Sequence, residues 1–229
     1  MPTTMTILPA FTISLFGLIH QGQSQLSLNK IEHGPTILKQ ALHEGRLSDD
    51  QNLPREVRED HARAYHNDIK RAYEQLLLEA TTGEMESKFL LGAYYLTFDK
   101  EGFATKLECL SWLEQAAVKG YRAAPLNYAL ALFELDSQSE KAKGIEWLKR
   151  ATQIGNQRES AAVALVGYYT YGSLALKLKR DPMQAWVWAR KGAEIRGCSV
   201  NEFLSENLLE SPDKVDPGSV LYPPRPPTP

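Results

Sequence analysis

The groups in this chain that could do chemistry are five histidines, two cysteines, a set of clustered tyrosines and a short basic segment. The histidines stand at positions 20, 33, 43, 61 and 66. His61 and His66 lie five residues apart in one helical stretch. That spacing turns their side chains about 140° apart, so they cannot share a metal as an i, i+4 pair does. Glu59, Asp60 and Asp68 beside them read as the solvated face of the same helix. His61 falls on the inner face, where a hydrogen-bonded core histidine is expected in place of a ligand. No metal site and no cofactor are expected. The sequence carries no nucleophile elbow, phosphate loop, dinucleotide fingerprint or CxxC pair. No catalytic residue is assigned, and the chain is expected not to be an enzyme.

What remains is surface chemistry. Tyr94, Phe98, Tyr168 and Tyr171 are candidate anchors for a partner peptide, because such rings are rigid and present apolar faces. Tyr95 and Tyr169 beside them are expected in the core, and the competing reading makes two or three of the candidates plain packing residues. A second candidate is the segment from Gly172 to Asp181, which alternates leucine with small or basic residues and carries Lys177, Lys179 and Arg180. Loops of this kind often carry function. With a formal net charge of −2 and no basic stripe interleaved with aromatics, nucleic-acid binding is not expected.

These residues must be positioned by a pattern that runs from about Met85 to Gly197. Three lines say nearly the same thing. The first is Leu91-Gly92-x-x-Tyr95, then Trp112, Ala116-Ala117 and Gly120; the second is Tyr128-Ala129-x-x-Leu132, then Trp147, Ala151-Thr152 and Gly155. The third is Leu165-Val166-x-x-Tyr169-x-x-Gly172, then Asp181-x-x-x-Ala185-x-x-Trp188, Gly192-Ala193 and Gly197. The tryptophans recur after 35 and 41 residues, and the glycines at 83, 120, 155 and 197 after 37, 35 and 42. Such a period predicts stacked helical hairpins and an all-α chain. Each unit reads as two amphipathic helices; Ile145, Trp147, Leu148 and Ala151, for example, form one apolar stripe. The tryptophans are expected as core fillers between hairpins, the small residues after them as points of close helix approach, and the glycines as helix C-caps with positive φ.

This pattern resembles the Sel1-like repeat, a relative of the tetratricopeptide repeat. Asp181-Pro-Met-Gln-Ala185-Trp-Val-Trp188 matches the middle element of the family line, and Leu91-Gly92-x-x-Tyr95 matches the first. The second repeat departs from it at Ala129, Leu132 and Glu140, and the third has extra residues before Asp181. The resemblance implies a right-handed α-solenoid of stacked helical hairpins with helical caps at both ends. It further implies a non-catalytic adaptor that binds a partner protein or peptide on the concave face. Family members are often exported in bacteria, which points to a periplasmic or secreted location, with a cytoplasmic one as the alternative. Cys109 and Cys198 would sit in the first and third repeats, one hairpin apart and beyond disulfide reach. Cys109 takes the small-residue position held by Ala185 in the third repeat. A cell-wall-directed hydrolase or binder of peptidoglycan or β-lactams is the alternative function, although the residues that define the cysteine-rich, β-lactam-associated relatives are absent.

The remaining segments frame the repeats at 85–197. Residues 1–24 contain an uncharged, mostly apolar run from Ile7 to Ile19, too short for a comfortable membrane span, followed by Gly22-Gln23-Ser24. They read as a cleaved secretory signal or as a disordered or partly docked leader. Residues 25–84 form an N-terminal helical cap, with a short helix from Pro35 to Gly45 and a long one from Arg55 to about Thr81. Val57, His61, Ala64, Tyr65, Ile69, Ala72, Leu76 and Ala80 make up the inner face of the long helix. A capping helix over about Val200–Leu209 occupies 198–211, and a proline-rich, polyproline-like tail follows at 212–229. A monomer without a stable membrane span is expected.

Overall fold

Apolar residues spaced three and four apart set the architecture, as a computed structural model shows for residues 33–95, 102–207, 209 and 211–213. The side chains of Tyr94 and Tyr95 are outside that description, as are the expected leader at 1–24, Phe98 and the tail beyond Asp213. Among the described residues the regular elements are helices, with one isolated β-bridge between Ser173 and Leu178. No helix among them is long and apolar enough to cross a membrane. The chain divides into two units, Met1–Ala116 and Ala117–Pro229.

The first unit is built on α1 (Gly34–Asp49) and α2 (Arg55–Thr82), which pack together. Ile37, Leu38 and Ala41 of α1 are buried, as are Ile69, Ala72, Leu76 and Ala80 of α2. The two helices run antiparallel, because polar contacts close the pair at opposite ends. At one end the half-buried His61 donates from Nδ1 to Glu44 Oε2 at 2.6 Å. At the other, the first amide of α1, Gly34 N–H, donates to Glu79 Oε1 at 2.9 Å. Glu79 also accepts from Ser87 Oγ at 2.6 Å and from Gln75 Nε2 at 3.1 Å, with His33 Nδ1 at 3.5 Å. Burial alone would raise its carboxyl; the bonds from Ser87, Gly34 and Gln75, with the charge of His33, outweigh that and hold it below the usual value. One carboxylate thereby ties the end of α2 to the starts of α1 and α3 (Met85–Leu90).

Two readings of this unit are corrected. The first helix does not stop at Gly45 but continues to Asp49. Gly45 lies against the ring of Tyr65, where an added Cβ would stand 3.0 Å from Cδ2, so it serves close packing and not termination. The turn that does end α1 is made by Asp50, whose Oδ1 accepts Asn52 N–H at 2.9 Å. Val57, expected on the inner face, is exposed in the first turn of α2.

Helix α3 runs into a π turn at Leu91–Tyr95, and α4 (Lys106–Val118) follows. Phe89, Leu90, Leu91 and Ala93 are buried here, with Cys109, Leu113 and Ala116 of α4. Gly92 permits the closest approach: a Cβ there would meet the backbone N of Leu113 at 2.6 Å.

The second unit holds α5 (Ala124–Phe133), α6 (Gln138–Ala151), α7 (Arg158–Tyr171), α8 (Pro182–Arg196) and α9 (Val200–Glu206). Helix α5 packs on α6, α7 on both α6 and α8, and α9 on α8. Starts are capped by side chains: Ser137 Oγ accepts from Glu140 N–H, Asp181 Oδ1 from Gln184 N–H, and Ser199 and Glu202 form a reciprocal capping box. Helix α9 ends at Glu206, short of Leu209; the Leu209 N–H folds back onto Leu204 O at 2.9 Å and its side chain stays buried. Phe203, Leu204 and Leu209 close a cluster with Ala162, Val166, Ala189 and Ala193. Gly192 makes room for it, since any Cβ there would overlap the Phe203 ring. Arg196 binds Glu159 at 3.2 Å and also Glu206, linking α7, α8 and α9.

The four glycines at 83, 120, 155 and 197 have φ of +111°, +66°, +83° and +80°. The tryptophans differ from one another. Trp147 is buried edge-on against Tyr128, with ring centroids 5.3 Å apart, and Arg150 lies over its outer face. Trp112 and Trp188 are half-buried, and Trp188 packs against the cluster around Phe203. The largest fully buried side chains are leucine and phenylalanine, Leu113 and Phe203 among them.

Candidate interaction surface

Helix α7 carries two of the four candidate aromatic anchors, and it lies between α6 and α8. A helix covered on two sides buries most of its circumference: Ala161, Ala162, Leu165, Val166, Tyr169 and Thr170 are all buried. Tyr171 is 8% exposed, so it packs inside the unit and offers no exposed ring to a partner. Tyr168 is half-buried and meets Phe133 of α5 edge-to-face, centroids 5.6 Å apart. Burial, helped by the nearby Glu134 charge, pushes its phenol up to about 12. Tyr94 has its backbone in the π turn of the first unit, and Phe98 lies outside the described residues.

The Gly172–Asp181 segment has a defined geometry. Ser173 N–H donates to Leu178 O at 2.8 Å and Leu178 N–H returns to Ser173 O at 2.9 Å, a two-bond hairpin. Inside it, Lys177 N–H donates to Leu174 O at 3.1 Å, and Leu176 N–H to Ser173 Oγ at 3.3 Å. The tight turn places Lys177 at φ +50°, a left-handed conformation that costs a non-glycine residue about 1–2 kcal/mol. The base is fixed by Asp181 N–H on Tyr169 O at 2.8 Å.

The three basic candidates part company here. Lys177 and Lys179 are exposed and form no ion pair among the described residues. Arg180 is half-buried and donates from Nη2 to Pro212 O at 3.0 Å. It is a tie for the chain after α9, not a free surface cation. Trp186 Nε1 donates to Asp213 Oδ2 at 3.1 Å, so Pro212 and Asp213, expected at the start of a solvated tail, are held against α8 and the hairpin.

Exposed apolar residues gather in the same stretch. Leu174 in the hairpin is 80% exposed and Met183 in the first turn of α8 is 79% exposed, with Val187 one turn further on also exposed. Sequence reasoning passed over these three as site residues. The i, i+4 spacing of Met183 and Val187 is visible in the sequence, but spacing alone does not say which side of α8 is left uncovered. Among the described residues no group of three or more His, Cys, Asp or Glu side chains could hold a metal ion. Cys109 is buried and Cys198 half-buried, and neither forms a disulfide among the described residues. No family model, no curated protein and no solved structure matches the chain.

Proposed function

We propose that the chain is a non-catalytic interaction module, an adaptor that binds a partner protein or peptide. The observation that carries this reading is the concentration of exposed Leu174, Met183 and Val187 within residues 174–187, a stretch that also holds two lysines with no ion pair among the described residues. Large apolar side chains left in solvent on a rigid element are a mark of contact surfaces. The helical hairpins themselves fit a Sel1-like, right-handed solenoid: antiparallel pairs with positive-φ glycines at intervals of 35 to 42 residues support that architecture. The resemblance also supports an exported, periplasmic or secreted protein. The test is capture by the immobilised full chain, with a variant carrying Leu174→Ser and Met183→Ser as the control. A binder retained by the native chain and lost by the control supports the module. Retention of nothing by the native chain above blank resin, or turnover of a chromogenic β-lactam or peptidoglycan fragments, refutes it.

A further inference from the structure

We propose that the 172–181 hairpin, with Met183 and Val187 of α8, docks a partner segment in which an apolar side chain is flanked by carboxylates. This deepens the interaction reading and rests on it. Three observations meet at this place. Leu174 is the most exposed large apolar residue of the second unit, yet its backbone is fixed by the reciprocal Ser173–Leu178 bonds and by Lys177 N–H on its own carbonyl. A fixed, solvated leucine has already lost the freedom that binding would cost it. The cations alongside are uncompensated: Lys177 and Lys179 have no acidic partner among the described residues, whereas Lys191 pairs with Glu194 and Arg196 with Glu159 and Glu206. Two unpaired positive charges beside an apolar knob select carboxylates around an apolar contact. Finally, the left-handed Lys177 is held in a disfavoured conformation by the turn, a cost retained where the turn's shape matters.

The geometry favours a protein segment over a lipid surface. Two lysines with Leu174, Met183 and Val187 are too small a footprint for stable membrane anchoring, which needs a polybasic cluster or a lipid chain as well.

The test selects short random peptides on the immobilised full chain, then measures the affinity of selected peptides for native protein, Leu174→Ser, and Lys177→Gly with Lys179→Gln. The glycine keeps the left-handed turn while removing the charge, and circular dichroism checks that each variant is folded. The expected result is enrichment of Asp and Glu beside aliphatic or aromatic residues. Both variants should weaken binding by at least about tenfold, and the lysine variant should flatten the salt dependence. Peptides that bind equally well to both variants, or that lack acidic enrichment, overturn this site while leaving an interaction module elsewhere on the chain. Recovery of no binding peptide overturns both readings. Co-sedimentation with phosphatidylserine vesicles, or self-association, that is lost in Leu174→Ser also overturns it, by assigning the knob to a membrane or to a second copy.

Discussion

Glu79 offers the sharpest test of how the first unit is held together. Its carboxylate receives Gly34 N–H, Ser87 Oγ and Gln75 Nε2, donors that belong to α1, α3 and α2. Ser87 and Gly34 are buried, so Glu79→Ala leaves two donors without an acceptor and without water. A bond to a charged acceptor contributes about 1.5–3 kcal/mol, and stranding a buried donor costs a similar amount. Gln75, on the same helix and partly solvated, adds little. The loss should be about 3–4 kcal/mol for Glu79→Ala, and roughly half that for Glu79→Gln, which keeps an acceptor oxygen. The pH dependence follows from the lowered carboxyl of the folded state. A depressed carboxyl stabilises the fold fully above its unfolded value, and that contribution fades as pH falls through the folded value. The stability gap between native protein and Glu79→Ala should therefore hold steady from about pH 7 to pH 5 and close below the ordinary carboxylate range. Urea unfolding followed by circular dichroism across that series measures it. A gap under about 0.5 kcal/mol at neutral pH, smaller than one net hydrogen bond, would show that the clasp is incidental.

Three further outcomes are expected. Trp147→Ala removes a buried ring that meets Tyr128 edge-on and should lower stability by about 3–5 kcal/mol in thermal unfolding. Gly192→Ala forces its methyl into the fully buried Phe203 ring and should cost about 1–3 kcal/mol, with Phe203→Leu recovering part of the loss in the double variant. Tyr168 should stay protonated until about pH 12 by ultraviolet titration. Its raised phenol contributes stability that is complete below its unfolded value near 10.0 and is lost as pH climbs through about 12, a loss that Tyr168→Phe should abolish.

Helix positions were legible where periodicity and a terminator agreed. The long helix starts at Arg55 and stops before Gly83, which takes the left-handed cap, because the stripe from Ile69 to Ala80 is unbroken. Gly45 misled for the opposite reason: a glycine that ends a helix and one that admits Tyr65 look the same in sequence. Burial of particular aromatics was less legible. Tyr171 and Trp188 are both large rings on helical stripes, yet one is buried and the other half-exposed, since the outcome depends on which neighbouring helix covers that side. The Glu79 clasp was invisible for want of proximity: Gly34 lies 45 residues away, and only the fold brings it to the carboxylate. At the candidate surface the basic loop was visible, but the separation of Arg180 from its two lysines required the contact with Pro212.

The pairing of each helix chiefly with its neighbours in the chain bears on how the protein is made. Packing is dominated by α1 with α2, α5 with α6, and α7 with α8, each pair consecutive in the chain. Low sequence separation between contacts favours fast folding, and it lets each hairpin close soon after its second helix leaves the ribosome, without waiting for distant segments. Synthesis then runs in the same direction as assembly, and little apolar surface need be exposed for long. The exception comes at the end. The cluster around Val166 and Ala189 stays open until Phe203 and Leu204 arrive, so a chain cut off just past Arg196 would leave that apolar surface uncovered and prone to aggregate.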